Sequence, residues 1–197
     1  VRIRFNLGCA ESEEVITADH LILALGAGAV NASNFNSLSL RPVRGQVEAI
    51  PTQMPIEQLN TVLCHKGYMT PVFEGRHALG STYVKNDLST DARSDETEMN
   101  LATHEQALAN TDIVQALQHD GKARAATRLG SPDHQPVVGA LHNFDSLKEL
   151  YTMLGVGKPL TSAPVLPSSV VSTLTCLGSR GLTTAPLMAE VLVSSLC

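Results

Sequence analysis

Apolar and charged positions alternate from the first residue: Val1, Ile3 and Phe5 are apolar, Arg2 and Arg4 are charged, which is the pattern of a half-buried strand. Glu13 to Thr17 is expected to pair back with it across the polar turn Gly8–Ser12. Asp19 to Ala29 is an apolar strand that runs into Gly26 and Gly28. Val43 to Ile50 reads as a strand entering a new layer, and Met54 to Asn60 as a short helix after Pro51. Thr61 to Cys64, Tyr68 to Val72 and His77 to Val84 are further strands joined by glycine-containing turns. The polar run Lys85 to Ser94 is a loop, and Asp95 is placed as a helix cap. Helical spacing then continues to His119, with Met99, Ala102, Leu108, Ile113 and Leu117 as expected core contacts. Ala123 to Arg128 and Val137 to Leu141 are strand-like. Leu154 to Pro167, rich in Gly, Pro and Ser, is the expected linker or mobile loop. The β-branched run Val170 to Leu177 reads as a buried strand, and after two glycines Ala185 to Leu196 repeats apolar residues at helical spacing.

These elements give an α/β (α+β) chain with a mixed or antiparallel sheet and helices in the middle. Its 197 residues suffice for one substantial core or two small ones. The net charge of −5 argues against a surface that grips nucleic acid everywhere, and leaves room for a local basic patch. Cys9, Cys64, Cys176 and Cys197 show neither paired metal-ligand spacing nor a disulfide framework, so free thiols in a reducing cytoplasm are expected. The seven histidines (His20, His65, His77, His104, His119, His134, His142) are scattered, and no metal site is expected. No signal peptide or apolar stretch of membrane-spanning length is evident. The start in mid-strand, without Met, suggests a piece of something longer.

Two glycine turns carry candidate chemistry. At Gly178–Gly181 a strand meets a helix start, an arrangement that aims backbone N–H groups and a positive dipole end at an electron-rich ligand. The plainer alternative is an ordinary strand-to-helix connection. At Gly26 and Gly28 the third glycine of a dinucleotide fingerprint falls at Asn31, and the acidic ribose partner is absent. Taken alone, that segment is a strand ending in a tight turn.

Four segments in order widen the picture: Pro42-Val43-Arg44-Gly45-Gln46, Cys64-His65-Lys66-Gly67-Tyr68-Met69-Thr70-Pro71, Ala126-Thr127-Arg128 followed by Asp133-His134-Gln135-Pro136-Val137-Val138-Gly139, and Gly178-Ser179-Arg180-Gly181-Leu182-Thr183-Thr184-Ala185-Pro186. Together they resemble the D-amino-acid-oxidase-like family of FAD-dependent oxidoreductases, most of all its branch acting on tRNA wobble uridines. The resemblance implies remnants of a Rossmann-like FAD domain at 1–37 and 166–197, flanking a substrate-binding domain at 38–165. The family's nucleotide fingerprint lies far upstream and is missing from this chain. Flavin contacts are then expected from Gly26, Ala27 and Gly28, from Arg44, Gly45 and Gln46, and from Gly178, Ser179, Arg180, Gly181, Leu182 and Thr183.

For the substrate, the resemblance points to Arg124 as a carboxylate clamp, whose planar fork binds both oxygens at about 1.5–3 kcal/mol per charge-assisted bond. Arg128, four residues on and on the same strand face, is its rival, and an apparent insertion, Leu129-Gly130-Ser131-Pro132, alters the loop that follows. Tyr68 would hold a carboxylate or amine, or else make one structural hydrogen bond. Arg180 would contact substrate, flavin or solvent, and Gly80-Ser81-Thr82-Tyr83 would line the pocket wall. The implied reaction is FAD-dependent removal of the carboxymethyl group from 5-carboxymethylaminomethyl uridine in tRNA, leaving an aminomethyl group. A methyltransferase domain using S-adenosylmethionine would follow as partner. Alternatives are a small-molecule glycine or amino-acid oxidase of the same superfamily, and a non-catalytic interaction module. The chain by itself is expected to hold FAD weakly or not at all.

Overall fold

The computed structural model describes residues 2–6, 13–113, 117–142, 144–160 and 169–196. The expected Gly8–Ser12 turn, Cys9, Cys197 and positions 161–167 of the expected linker lie outside them. Contacts divide the chain into two compact units, residues 41–128 and residues 1–40 with 129–197. The fold class is the expected one, with an antiparallel sheet in one unit and a mixed sheet in the other.

In the first of these, the long strand β4 (Arg41–Pro51) organises a six-stranded sheet. It runs antiparallel to β7 (Arg76–Gly80), with Val47 opposite Gly80 and Pro51 opposite Arg76. Its first half pairs with β8 (Val84–Lys85). The short strands β5 (Leu63–Cys64) and β6 (Tyr68–Met69) extend the sheet beyond β7, and β9 (Ala123–Gly130) also pairs with β4. The expected strand His77 to Val84 is therefore two strands, and β9 runs two residues past Arg128. Half of the apparent insertion, Leu129 and Gly130, is simply more strand. Met54 to Asn60 forms one short turn of 3-10 helix, Ile56–Gln58, whose Ile56 is buried.

The helix Ser94–Ala107 follows the loop and ends well before His119. Asp95 lies in its first turn, and the cap position is Arg93. The expected apolar face is not the buried one: Met99 and Ala102 are exposed, while Glu96, Asn100 and His104 are buried. Those three recur at intervals of four and so share one face. Ile113 and Leu117 do pack as expected, with Leu101, against a core of Ile50, Ile56, Met69 and Leu79.

In the second unit, β1 (Arg2–Asn6) and β2 (Glu13–Thr17) form the expected antiparallel hairpin. A separate sheet has the order β10 (Val137–Ala140), β11 (Val171–Thr175), β3 (Leu21–Leu23). β11 is antiparallel to β10 and parallel to β3. Two short helices, Phe144–Leu150 and Thr152–Gly155, occupy a stretch for which no helix was expected. The last helix starts at Gly181 rather than Ala185 and runs to Ser194. Ala29, Phe35, Leu129 and Cys176 form the core, and burial pushes the Cys176 thiol up.

Candidate active site

Alternation along β4 separates a structural face from an open one. Arg44, Gln46, Glu48 and Ile50 all point to the side covered by the helix and are fully buried. Gly45, Val47 and Ala49 line a cavity on the opposite side.

The covered side is polar. Arg44 Nε donates to Glu96 Oε1 at 2.6 Å, and its other nitrogens donate to the carbonyls of Ser89 and Asp91 and to Gln46 Oε1. Glu96 also accepts from Thr82 Oγ1. Gln46 Nε2 donates to Glu48, the Arg93 carbonyl and Thr97, and its Oε1 accepts the Arg93 N–H at 2.7 Å. Glu48 is further held by Asn100 at 2.8 Å and by Thr97 and His119, each at 3.1 Å. Charges removed from water must be paired this fully, because an uncompensated one costs several kcal/mol. The side chains of Arg44 and Gln46, expected near a flavin, are thus committed to tying β4 to the helix. Of that trio, Gly45 alone faces the cavity.

The cavity measures about 520 Å³. Lys122, Arg124, Ala126 and Arg128 line it at every second position, which the period of a strand places on one face. Arg124 makes no hydrogen bond or ion pair among the described residues. Arg128 is held instead: Nη2 donates to Ser81 Oγ at 2.9 Å, and the guanidinium carbon lies 5.9 Å from the centre of the Tyr83 ring. A Cβ on Gly45 would come within 2.4 Å of Arg128 Nη2 and 3.1 Å of the Thr82 carbonyl, so only glycine lets the arginine lie across the strand. Ser81 and Tyr83 therefore position Arg128, while Thr82 belongs to the buried network. Tyr68 is half-buried opposite Gly80 and is not among the cavity-lining residues.

Among the lining residues that sequence reasoning missed are Phe73, Arg76 and Lys122. Lys122 was visible in principle as the next member of the period-two series. Arg76 donates to the Ala49 carbonyl at 2.6 Å and to both Asp120 oxygens, and this hydrogen bonding holds the Asp120 carboxyl down to about 2.

A second surprise is a histidine pair under the helix. His65 Nε2 lies 2.9 Å from His104 Nδ1, with the rings edge to face. Gly67 N–H donates to His65 Nδ1, so the remaining His65 proton sits on Nε2 and points at His104. His104 Nε2 is left buried without a well-formed hydrogen bond. Burial, then the neighbouring His65, pushes His104 down to about 4. Among the described residues no group of three or more metal-ligating side chains lies together.

The glycine turns of the other unit follow β3 and β11. Because these strands are parallel neighbours, both turns leave the same end of the sheet, the carboxyl end where α/β sheets bind ligands. Gly26 (φ +54°), Ala27 and Gly28 open the 3-10 turn Gly26–Asn31, and Gly178 (φ +59°), Ser179 and Arg180 form the next. Nothing lies within 4 Å of a Cβ built on Gly26 or Gly178. No side chain caps the last helix, so the first-turn N–H groups at Gly181, Leu182 and Thr183 stay available to a ligand. Leu182 is 98% exposed, and the Thr183 and Thr184 hydroxyls donate back to the Arg180 carbonyl. Open main-chain turns of this kind fit an electron-rich cofactor such as a flavin.

The same fold recurs in solved oxidases. A glycine oxidase from Bacillus cereus superposes with a TM-score of 0.64 at 14% identity, covering 92% of this chain and 43% of that one. A glycine oxidase from Geobacillus kaustophilus gives 0.63 at 20% identity, covering 92% and 42%. In sequence, the chain is 50% identical over 190 residues to the tRNA 5-methylaminomethyl-2-thiouridine biosynthesis bifunctional protein MnmC of Pseudoalteromonas atlantica, covering 96% of this chain and 27% of that protein. The protein of the same name from Shewanella amazonensis is 38% identical, covering 92% and 28%. The chain thus spans little more than a quarter of the length of these relatives. The sequence profile of the FAD dependent oxidoreductase family (DAO) matches residues 2–195, and the chain belongs to that family.

Proposed function

We propose that this chain supplies the substrate-binding face and part of the flavin-binding surface of an enzyme that oxidises the C–N bond of 5-carboxymethylaminomethyl uridine in tRNA. The observation that carries the reading is Arg124, a guanidinium on the open sheet face with no partner among the described residues, in a chain half identical to a tRNA 5-methylaminomethyl-2-thiouridine biosynthesis protein. The substrate is a secondary amine bearing a carboxylate. Arg124 takes both carboxylate oxygens with its planar fork and fixes the methylene carbon next to nitrogen. Arg128, braced by Ser81 and Tyr83, keeps a second positive charge beside Gly45. Tyr68 and Arg180 are held as further substrate contacts.

FAD, when bound, supplies the hydride acceptor. It would be held by Gly26–Gly28, Gly45 and Gly178–Thr183, through backbone N–H groups rather than charged side chains. We assign 1–37 and 166–197 to the FAD-binding domain and 38–165 to the substrate-binding domain, whose cavity-bearing part is the 41–128 unit. Removal of hydride from the methylene carbon and a proton from nitrogen leaves an imine; water then releases glyoxylate and the aminomethyl uridine. No strong base is required if the amine arrives neutral. In this reading the product passes to a methyltransferase domain using S-adenosylmethionine, in the cytoplasm, where tRNA is modified.

The test is glyoxylate release by the protein at the full length of its relatives, on hypomodified tRNA and, in parallel, on free glycine. Turnover of the tRNA with negligible glycine oxidation is expected. Efficient glycine oxidation with untouched tRNA would replace this reading by a small-molecule oxidase, and a colourless protein inert on both would leave an interaction module.

A further inference from the structure

The Arg124 clamp accounts for only part of the cavity. Arg128 lies over Gly45 at one end, while the other end is built by Lys122, whose carbonyl accepts the Ala49 N–H at 2.9 Å, and by Arg76. Beside them stands a tight hairpin. Phe73 N–H donates to the Arg76 carbonyl at 2.8 Å, Arg76 N–H donates back at 3.0 Å, and Glu74 and Gly75 between them both have positive φ. Such a two-residue turn is rigid, and it fixes Phe73 at the cavity edge with 75% of its surface exposed. Lys122 presents an ammonium with no hydrogen bond or ion pair among the described residues. Arg76 adds a guanidinium braced by Asp120, and Glu74 is the carboxylate of the hairpin itself. The chain is acidic overall, yet four of its 14 Lys and Arg residues line this one cavity.

An exposed aromatic ring beside the Lys122 ammonium and the Arg76 guanidinium suits a flexible, single-stranded polyanion with flat bases. We propose that Phe73 and Lys122, with Arg76, form the docking surface for the single-stranded RNA loop around the target uridine. Phe73 stacks a base neighbouring that uridine, and Lys122 meets a flanking phosphate. The inference rests on the tRNA reading above and gives that site its nucleic-acid contact. Stacking on one ring reads no base identity, so the surface holds the loop without selecting its sequence.

The experiment uses the protein at the full length of its relatives and a labelled anticodon stem-loop carrying 5-carboxymethylaminomethyl uridine. Fluorescence anisotropy across a salt series gives affinity and salt slope, with a plain RNA duplex as comparison. Phe73→Ala is expected to weaken stem-loop binding on the order of tenfold, and Phe73→Trp to keep it, because the ring is what stacks. Lys122→Gln should reduce the salt slope by about one phosphate contact. Stem-loop affinities of Phe73→Ala and Lys122→Gln within about twofold of wild type would overturn the surface. So would equal weakening of duplex and stem-loop by Phe73→Ala. Glyoxylate release by the unaltered protein, measured separately, judges the tRNA reading itself, so the two failures are told apart.

Discussion

Arg124 and Arg128 lie four residues apart on one strand face and differ in what their neighbours leave free. Ser81 and Tyr83 occupy Arg128, whereas Arg124 has no hydrogen bond or ion pair among the described residues. Arg124→Lys keeps the charge but loses the fork, so a loss of about 1–3 kcal/mol in kcat/KM is expected on carboxymethylaminomethyl-tRNA at equal flavin content. Arg128→Lys should cost less; should it cost more, the clamp is Arg128. His104 makes a different prediction. Its folded value of about 4 lies below the ordinary 6.5, so between those values the unfolded chain binds a proton that the folded chain does not. Its contribution is complete above pH 6.5 and is lost as pH falls toward 4. Thermal unfolding followed from about pH 7.5 down to about pH 5 should show a smaller fall in Tm for His104→Gln than for the unaltered protein.

The helix Ser94–Ala107 buries Glu96 and Asn100 against Arg44, Gln46 and Glu48 of β4 and His104 against His65, so polar geometry rather than apolar area sets its position. A network of this kind is intolerant of single deletions. Arg44→Met leaves Glu96 buried without its cation and should destabilise the fold by about 3–5 kcal/mol, read from denaturant midpoints. Arg44→Met with Glu96→Leu removes both charges and should recover much of that loss. If the double variant is no better than the single one, the remaining hydrogen bonds of Gln46 and Thr82 matter more than the ion pair. The network also frames the cavity, since alternation along β4 puts its large side chains under the helix and leaves Gly45, Val47 and Ala49 on the cavity side.

For the chain as a whole, the flavin contacts proposed above are three backbone stretches, Gly26–Gly28, Gly45 and Gly178–Thr183. None is a full dinucleotide fingerprint, because the position of a third glycine after Gly28 is occupied by Asn31. The 197-residue chain alone is therefore expected to lose FAD on gel filtration. A stoichiometric flavin absorption band in the eluted protein would refute that expectation.

Sequence alone determined the fold class and the places where strands run into glycine turns. Period-two patterns, β-branched runs and glycines are local signals, and β1, β2, β4, β11 and the Gly178 turn obey them. It also placed Arg124 and Arg128 on a common face, since strand geometry carries a spacing of four without help from the rest of the chain. What the local pattern misjudged was the direction in which side chains are buried. Met99 and Ala102 look like core residues of a helix and Glu96 and Asn100 look like solvent residues, yet the order is reversed. Hydrophobicity predicts burial only when no partner is available for a polar group, and the partners here, Arg44, Gln46 and Glu48, come from a strand about fifty residues away. The same holds for Arg44 and Gln46 themselves, for the His65–His104 pair, and for Phe73, which a hairpin leaves exposed beside Lys122. Each depends on which residues the sheet brings together, and only the tertiary structure decides that.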